Sequence, residues 1–594
     1  MLMMNRKPTL AGRRGVGCFL IGLAAFPCLT CAVAAGTVGV PGSGVHRGFR
    51  EERSGFIQGL RNTPRTWLRL KRLTHYSRNG IARYALIFGT PPDLSSSNLK
   101  PLTVFITPPL NRPGYTISMV AQTLFRQLTN RQLRHHLLGH LTFVLFLPDR
   151  TVAHGTGGGH DARIPGLRSP WDNQDIDLLK AHSQRVRDWL RLFHQWNPDV
   201  VMELAGTETA NWRAQCLFES APAALLPAPL SDLSHRLRSE ARSTWQQHDV
   251  QVRTWFRLLN PASPSLGVIT ERGQLSGPVP YSALSRTLAF RWIWNDKPKG
   301  QHLSTKIWQT LDPWFDLLIQ DRSKILRARA QSRTSGDGKP VVVHLPLSGK
   351  IVRKATPFLL HTYAYDETLS PISGTVWVRY NKHQPQNYLV PRFTRPFLTL
   401  KQSGISGYLV PSVFVRAIQA LKRNGIRMKI LHKARTLRVI VDQLGRIRWS
   451  IPPQTRTPTI RSYQAQPRIR LLTYPAGSAF IPLNQKYSAL VAALLDPNSP
   501  YNLLYLGFFH NLFDHLPRLP QARLETIARQ LLRTHPKLAR GFLHRILDRR
   551  FAGNPRSRLD FFYRHLFRDP VSRHLYPVAE WPATSQDRTP LPTP

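Results

Sequence analysis

Carboxylates and histidines between positions 154 and 208 are the residues whose types and spacing could do chemistry. The candidates are Asp175, Asp177, Glu203, Glu208 and the glycine-rich segment 154–161, HGTGGGHD. Carboxylates that share a cleft raise one another's pKa and can form an acid–base pair, and histidine with carboxylate is an ordinary set of metal ligands. The segment 154–161 is not a phosphate loop, because no Gly-Lys-Ser/Thr follows it. Two hypotheses remain open for it: part of a rebuilt hydrolytic or metal site, or a glycine-rich loop without chemistry.

A helix, a strand and a loop must position the two glutamates. Apolar residues recur at helical spacing from Val186 to Phe193, and Asn197-Pro198 should end that helix. The apolar run 200–205 then predicts a buried strand, and 206–209 predicts the loop after it. In open α/β sheets, sites are built at the carboxyl ends of strands. The segment 186–209 is therefore the first place to expect a site.

The flanking sequence alternates in the same way between strands and helices. It predicts strands at 102–106, 141–147 and 288–294, helices at 117–128 and 307–319, and a long loop at 148–180. Such alternation is typical of an α/β fold, with a mainly parallel or mixed sheet and helices on both faces. Runs rich in β-formers predict a smaller β-rich domain at 340–470, and helical periodicity from Lys486 onward predicts a helical C-terminal region.

The segment 186–208, with its Trp-Asn-Pro-Asp and Gly-Thr-acidic turn, resembles the bacterial secreted zinc carboxypeptidases of the carboxypeptidase A type. Further similar segments are REERSGF (50–56), SPISGTVWVRY (370–380), SGYLVP (406–411), LYLGFFHNLFDH (504–515) and RLDFFYRHLF (558–567). The resemblance implies a carboxypeptidase-like α/β domain, zinc as the cofactor and proteolysis as the activity.

The residues at the implied zinc-ligand positions cannot bind a metal ion. The resemblance places two ligands at Leu110 and Pro113 and the third at Ala205. Structural and catalytic zinc sites use Cys, His, Asp or Glu, and none of these three side chains offers such an atom. No His-x-x-Glu occurs anywhere in the chain. No cofactor is therefore predicted, although the resemblance implies zinc.

The other catalytic parts implied by the resemblance are also replaced. The pocket for the substrate's terminal carboxylate matches Asp175, Ile176 and Asp177, where an isoleucine stands in place of an arginine and acidic groups repel a carboxylate. The general-base position matches Trp292, which we expect to fill the vacated metal volume. Asp296 lies nearby as a substitute base. Together with Glu203 and Glu208 it completes the set of cleft candidates.

Composition adds a strong positive charge. The 594 residues include 82 Lys+Arg against 33 Asp+Glu, a formal net charge of +49. Such a chain attracts polyanions, although a solvated basic surface without a dedicated ligand is the alternative. RLDFFYRHLF interleaves arginine with aromatic residues, but its apolar residues fall at helical spacing, which favours core packing over single-stranded nucleic acid. The sequence thus gives no specific nucleic-acid signal.

The N-terminal residues have the pattern of an export signal. Arg13 and Arg14 precede the apolar run 16–30, and Ala32-Val33-Ala34 offers a cleavage site. Cleavage would leave Cys216 as the one remaining cysteine, which we interpret as a buried apolar residue. No later stretch is apolar enough to span a bilayer. A periplasmic or secreted protein is therefore predicted.

The predicted organisation has five parts: a signal peptide (1–34), a linker (35–55), a carboxypeptidase-like α/β domain (56–335), a β-rich domain (340–470) and a helical C-terminal region (471–594). Three functional hypotheses follow. The first is a catalytically inactive carboxypeptidase homologue that acts as a binding or scaffold protein. The second is a metallocarboxypeptidase or other hydrolase with a rebuilt site. The third is a basic envelope protein that binds polyanions. The partner is unknown; a peptide and an envelope polyanion both fit.

Overall fold

The structure of the chain is a computed structural model that describes most residues between 56 and 583. The described ranges are 56–61, 65–73, 83–89, 100–110, 115–148, 178–207, 211–270, 275, 277–295, 301–333, 341–347, 350–352, 354–372, 374–450, 459–509, 521–566 and 575–583. The predicted signal peptide and linker lie outside these ranges. Gly55–Pro594 forms one compact unit. Within the described ranges, no helix combines the length and the apolar character needed to cross a bilayer.

Among the residues that the structure describes, ten strands lie in the first half of the chain, and eight of them form one mixed sheet. In chain order the ten are β1 (Leu68–Arg72), β2 (Tyr84–Phe88), β3 (Leu102–Thr107), β4 (Leu141–Leu147), β5 (Val200–Thr207), β6 (Cys216–Ser220), β7 (Val252–Thr254), β8 (Arg257–Leu258), β9 (Val268–Ile269) and β10 (Leu288–Asn295). The sheet has the order β1-β2-β4-β3-β5-β10-β6-β7. Its centre, β4-β3-β5-β10, is parallel, and β6 pairs antiparallel with β10.

The central strands are buried on both faces. Every residue of β3 and β4 is buried, as expected for near-continuous apolar runs in a sheet covered on both sides. The four predicted strands that begin at Leu102, Leu141, Val200 and Leu288 are confirmed. β5 continues two residues further than expected, through Gly206 and Thr207.

Within the described ranges, seven helices of seven or more residues accompany the sheet. They are α1 (Tyr115–Gln127), α2 (Arg131–Leu138), α3 (Gln184–Trp196), α4 (Ala228–Gln247), α5 (Pro278–Leu284), α6 (Gln301–Gln320) and α7 (Arg322–Arg333). On one face Trp189 of α3 packs against Phe105 of β3, with ring centroids 5.4 Å apart. On the other, Trp314 of α6 packs 5.2 Å from Trp292 of β10. The fold is therefore mixed α/β, with helices on both faces of the sheet.

Helix α3 ends as its sequence predicts. Asn197 adopts the left-handed conformation with φ 45°, and its backbone N–H donates to the carbonyl of Phe193. Asparagine tolerates this conformation, and the proline that follows cannot continue the helix. This end brings the chain directly into β5.

The second half of the described chain is dominated by long strands. They are β11 (Val341–Pro346), β12 (Thr356–Leu369), β13 (Val376–Phe393), β14 (Phe397–Gln402), β15 (Ile405–Val410), β16 (Lys429–Ile430), β17 (Arg435–Ser450), β18 (Thr459–Tyr474), β19 (Ala479–Pro482) and β20 (Ala579–Pro582). One sheet has the order β12-β13-β9-β8 and another β16-β19-β15-β20-β17-β18, while β11 pairs with β14. Most described residues of 340–470 lie in strands, and strands β8 and β9 from the first half join one of these sheets. A separate β-rich domain with these bounds stays a prediction.

Helices return towards the C-terminus. They are α9 (Ser488–Leu495), α10 (Gln521–Thr534), α11 (Pro536–Ile546), α12 (Arg549–Ala552) and α13 (Pro555–Leu566), and the earlier α8 (Val415–Arg423) lies among the strands. The predicted helical region therefore needs a correction. β19 and β20 fall inside 471–594, and β20 pairs with both β15 and β17.

The largest buried core spans both halves of the chain. It runs from Ile57 to Val578 and includes Leu345, Leu400 and Leu490 from beyond the eight-stranded sheet. Tyr487 reaches the ring of His194 on α3, with centroids 5.3 Å apart. The strands and helices after residue 340 thus share a core with the eight-stranded sheet.

Candidate functional site

The carboxyl ends of β3, β5 and β10 are where the sequence predicted a site. Ala205 is 4% exposed and belongs to an apolar cluster with Leu217 and Ile293. Its methyl group contacts hydrocarbon at the position where the family resemblance implies a zinc ligand. This part of the sheet end is filled by apolar side chains.

Trp292 does not lie beside Ala205. β10 pairs in parallel with β5 so that Trp292 is opposite Leu204, while Ile293 is opposite Ala205. Side chains alternate between the two faces of a strand, so the Trp292 indole points to the other face. It is fully buried there against Phe218, with ring centroids 5.0 Å apart. The expectation that Trp292 fills the volume beside Ala205 is therefore wrong, because a shift of one residue moves every side chain to the opposite face.

Leu110 lies just beyond β3 and is 4% exposed. Its backbone carbonyl accepts a hydrogen bond of 2.9 Å from Arg185 Nη1. Nearby, the indole N–H of Trp189 donates to Thr107 Oγ1 at 3.0 Å. Helix α3 therefore fixes the end of β3 with polar contacts to the backbone and to a hydroxyl, while the leucine side chain itself has no polar atom.

A buried ion network, formed by Glu203, Arg291 and Glu219, crosses the three adjacent strands β5, β10 and β6. The register places Arg291 opposite both carboxylates. Arg291 Nη2 donates to Glu203 Oε1, and Arg291 Nη1 lies 3.5 Å from Glu219 Oε2. The arginine is 3% exposed and the glutamates are 0% and 7% exposed. One guanidinium thus holds two carboxylates inside the sheet layer.

The chain passes closely over this network at Gly277. A Cβ atom at Gly277 would lie 3.3 Å from Arg291 Nη2 and 3.8 Å from Glu203 Oε2. The close approach favours glycine, which has no side chain. Glu203 is therefore covered and ion-paired, which corrects the expectation that it faces an open cleft. Sequence reasoning missed Arg291, although an arginine within the apolar strand LAFRWIWN was a usable signal.

The side chains at this site do not fit zinc. Leu110 and Ala205 offer no ligand atom, and Glu203 already accepts from Arg291. Across the described ranges, no three His, Cys, Asp or Glu side chains come together in an arrangement that could hold a metal ion. The predicted lack of a cofactor remains a prediction for the chain as a whole.

Several predicted site residues lie outside the described residues. They are Pro113, Asp175, Ile176, Asp177, Glu208, Asp296 and the segment 154–161. Among the cleft candidates, the structure therefore places Glu203 alone. Cys216 is buried, as predicted, and burial raises its pKa well above the ordinary value for a thiol.

A second set of titratable groups, two of them buried and one half-buried, lies at the six-stranded sheet. This carboxyl cluster consists of Asp442 on β17, Glu580 on β20 and Asp496 after α9. Burial, reinforced by neighbouring carboxylates, raises the pKa of Asp442 to about 6 and that of Glu580 to about 7. Gln402 donates a hydrogen bond to Asp496, whose pKa burial also raises. The sequence interpretation did not identify this cluster, because its members are separated by up to 138 positions in the chain.

Comparison with known proteins gives distant similarities. No protein-family model matches the sequence, and no curated protein matches it. A putative carboxypeptidase A from Shewanella denitrificans OS-217 is 13% identical, with a TM-score of 0.33, over 46% of this chain and 69% of that one. A metallo-carboxypeptidase from Burkholderia cenocepacia is 14% identical, with the same TM-score and coverage. A metallo-carboxypeptidase from Pseudomonas aeruginosa is 14% identical, with a TM-score of 0.31, over 48% and 69%. Similarity at this level does not assign the chain to a family.

Proposed function

We propose that the chain is an exported, carboxypeptidase-like protein without peptidase activity that acts by binding. The export part rests on the N-terminal sequence pattern, and the carboxypeptidase-like part rests on the sequence segments that resemble that family. The loss of activity is supported by the residue types at the implied ligand positions. All three arguments concern this chain's own residues.

The observation that carries the proposal is the buried ion network. A catalytic carboxylate must reach a proton or a metal-bound water. Glu203 is instead fully buried and held by Arg291. Breaking the ion pair to free the Glu203 carboxylate would leave the positive charge of Arg291 less well neutralised inside the protein, where an unpaired charge is costly. The network therefore favours a structural role for the one acidic side chain that the structure places at this end of β5.

Zinc titration of the purified chain, combined with a peptidase assay, tests this proposal. We expect less than stoichiometric zinc after dialysis and no release of C-terminal residues from a set of peptides with acidic, basic and apolar ends. Zinc-free and zinc-supplemented samples should give the same result. One tightly held zinc ion per chain, together with release of C-terminal residues, would overturn the proposal and favour the rebuilt hydrolase.

A second candidate function is binding of an extended polyanion, and one specific feature favours it. The arginine hairpin, formed by β17 and β18, carries a set of exposed arginines. They are Arg438, Arg446, Arg448, Arg461, Arg468 and Arg470. Within Arg435–Tyr474 the single acidic residue is Asp442, which is 5% exposed. The hairpin therefore presents concentrated positive charge to solvent, and salt-sensitive retention on immobilised heparin is the expected behaviour.

A further inference from the structure

A cavity of about 230 Å³ lies between the last residues of β6 and helix α4. Ser231, Ser234, His235, Arg238 and Arg242 form its helical wall. Their spacing of three, four, seven and eleven residues from Ser231 places them along one face of the helix. Thr254 and Thr270 contribute to the opposite wall. We call this space the α4 cavity.

Two guanidinium groups stand one helical turn apart in the α4 cavity. Arg238 and Arg242 have a spacing of i, i+4, at which like charges repel. Burial lowers the pKa of Arg242, and the nearby charge of Arg238 acts in the same direction. Arg242 Nη2 donates to Thr254 Oγ1. Within the described ranges, no salt bridge involves either guanidinium, whereas the neighbouring Arg236 pairs with Glu240 and Asp321. The pair is therefore a repulsive arrangement that an anion would relieve.

One carboxylate also lines this cavity and affects the charge balance. Glu219 belongs to the buried ion network, where its Oε2 lies 3.5 Å from Arg291 Nη1. Its charge is thus directed at Arg291 on the neighbouring strand. The groups that α4 itself contributes are two arginines, a histidine and two serines, which are donors suited to an anion.

The chemistry of these donors favours a tetrahedral oxyanion. Guanidinium groups form forked, charge-assisted hydrogen bonds to phosphate-like oxygens, and serine hydroxyls can donate to the remaining oxygens. A neighbouring cavity of about 350 Å³ shares Arg242 and Thr254 and adds Arg253. A ligand larger than the anionic group therefore has room to continue beyond Arg242.

We propose that the α4 cavity binds the phosphate or sulfate group of a small ligand through Arg238 and Arg242. This site is separate from the end of β5, so it does not depend on whether the chain has peptidase activity. It also differs from the arginine hairpin, because it is a cavity of about 230 Å³ and not an exposed charged strand pair.

Isothermal titration of the full chain with inorganic phosphate, and separately with sulfate, tests the proposal in about 0.1 M sodium chloride, where the Debye length is about 10 Å. We expect one saturable site per chain for at least one of the two anions. The double variant R238Q/R242Q should weaken binding by about tenfold or more, because it removes two charge-assisted contacts. R242K should weaken it less, since lysine keeps the charge but loses the fork. Titration with glucose 6-phosphate and glucose 6-sulfate then identifies which ester the cavity accepts.

The matched control is R529Q/R533Q on α10. Arg529 and Arg533 are exposed and have the same i, i+4 spacing, so this variant also removes two charges from +49. It should leave the affinity within about twofold, because net charge acts weakly at a distance in salt. Equal losses in both double variants, or no saturable site in the wild type, would overturn the proposal. If R238Q/R242Q does not fold by circular dichroism, an unchanged affinity in R242K would overturn it as well.

Discussion

At the residue scale, Arg291 links the three adjacent strands β5, β10 and β6 of the eight-stranded sheet. It is the one cation in direct ion-pair contact with Glu203 and Glu219 within the described ranges. We expect Arg291→Met to lower the free energy of unfolding by about 3–5 kcal/mol, because it removes the ion-pair partner of the fully buried Glu203 carboxylate. Urea unfolding followed by tryptophan fluorescence measures this change.

The control for Arg291 is to remove the charges together. The triple variant E203M/R291M/E219M should recover much of the lost stability, since a buried ion network is often replaceable by apolar residues. A loss below about 1 kcal/mol in the single variant would contradict a compensating role for Arg291.

The carboxyl cluster predicts an unusual pH dependence of stability. The pKa of Asp442 rises from 3.8 to about 6, and that of Glu580 rises from 4.5 to about 7. The folded state therefore binds protons more tightly than the unfolded state between about pH 4 and pH 7. The resulting contribution of the two carboxyl groups to the free energy of unfolding is fully present at low pH and is lost as the pH rises through the pKa values of the folded state.

Replacing the two acids by amides tests this sign. We expect D442N/E580Q to unfold at higher urea concentration than the wild type at pH 8, with a gain on the order of 1 kcal/mol per pKa unit removed. Near pH 4 the variant and the wild type should have the same free energy of unfolding. Asp232→Asn, at an exposed position on α4, is the control for a lost negative charge. A stability difference that is constant from pH 4 to pH 8 would argue against titration of the cluster.

The residue types at the candidate site were readable from the sequence, but their surroundings were not. Ala205 and Leu110 lack ligand atoms whatever the fold, so that conclusion needed no structure. Trp292 was assigned to the wrong face because its orientation depends on the register between β10 and β5. Arg291 was missed because its partners, Glu203 and Glu219, come from two other strands.

At the element scale, α11 shows how tertiary packing selects among apolar residues on one helix. Phe542 is 8% exposed and packs 4.5 Å from Phe562 of α13. Its neighbour Leu543 is 63% exposed, and Leu547, just after the helix, is 80% exposed. By their spacing, the apolar residues 538, 542, 543, 546 and 547 fall on one face of a helix. The buried stripe is narrower than that apolar face, and it is centred on Phe542.

Alanine substitutions on α11 test this assignment. We expect Phe542→Ala to lower the free energy of unfolding of the C-terminal helices by about 3–5 kcal/mol, because it removes a large buried ring and leaves a cavity. Leu543→Ala should change the free energy of unfolding by no more than about 0.5 kcal/mol relative to the wild type, since it removes an exposed side chain. Limited proteolysis of α10 to α13 and urea unfolding both measure the difference. Equal effects of the two substitutions would mean that Leu543 is covered by a partner in solution.

Long helices and strands with a clear hydrophobic periodicity were predicted more accurately than short ones. β4 and α3 follow continuous apolar or helical patterns and were predicted closely. β20 was missed because its four residues, AEWP, have no periodicity that distinguishes a strand. Its pairing with β15 and β17 joins segments more than 130 positions apart, and such pairing is decided by tertiary packing.

At the scale of the whole molecule, the sequence establishes the amount of positive charge but not its position on the surface. The value of +49 follows from composition, but composition does not say where the cations lie. The fold concentrates exposed arginines on the arginine hairpin, whose strand β18 is the edge of the six-stranded sheet. A charged edge resists pairing with other strands. The same residues offer a polyanion an accessible basic surface.

Heparin chromatography separates these contributions to the charge. We expect the wild type to elute at high salt and R446Q/R448Q/R468Q/R470Q to elute at markedly lower salt, because clustered cations release more counterions on binding than dispersed ones. The control removes four exposed arginines from the C-terminal helices, as R529Q/R533Q/R540Q/R550Q. Both variants carry the same net charge. If they elute together, total charge and not the hairpin governs retention; if only the hairpin variant shifts, the polyanion surface lies on β17 and β18.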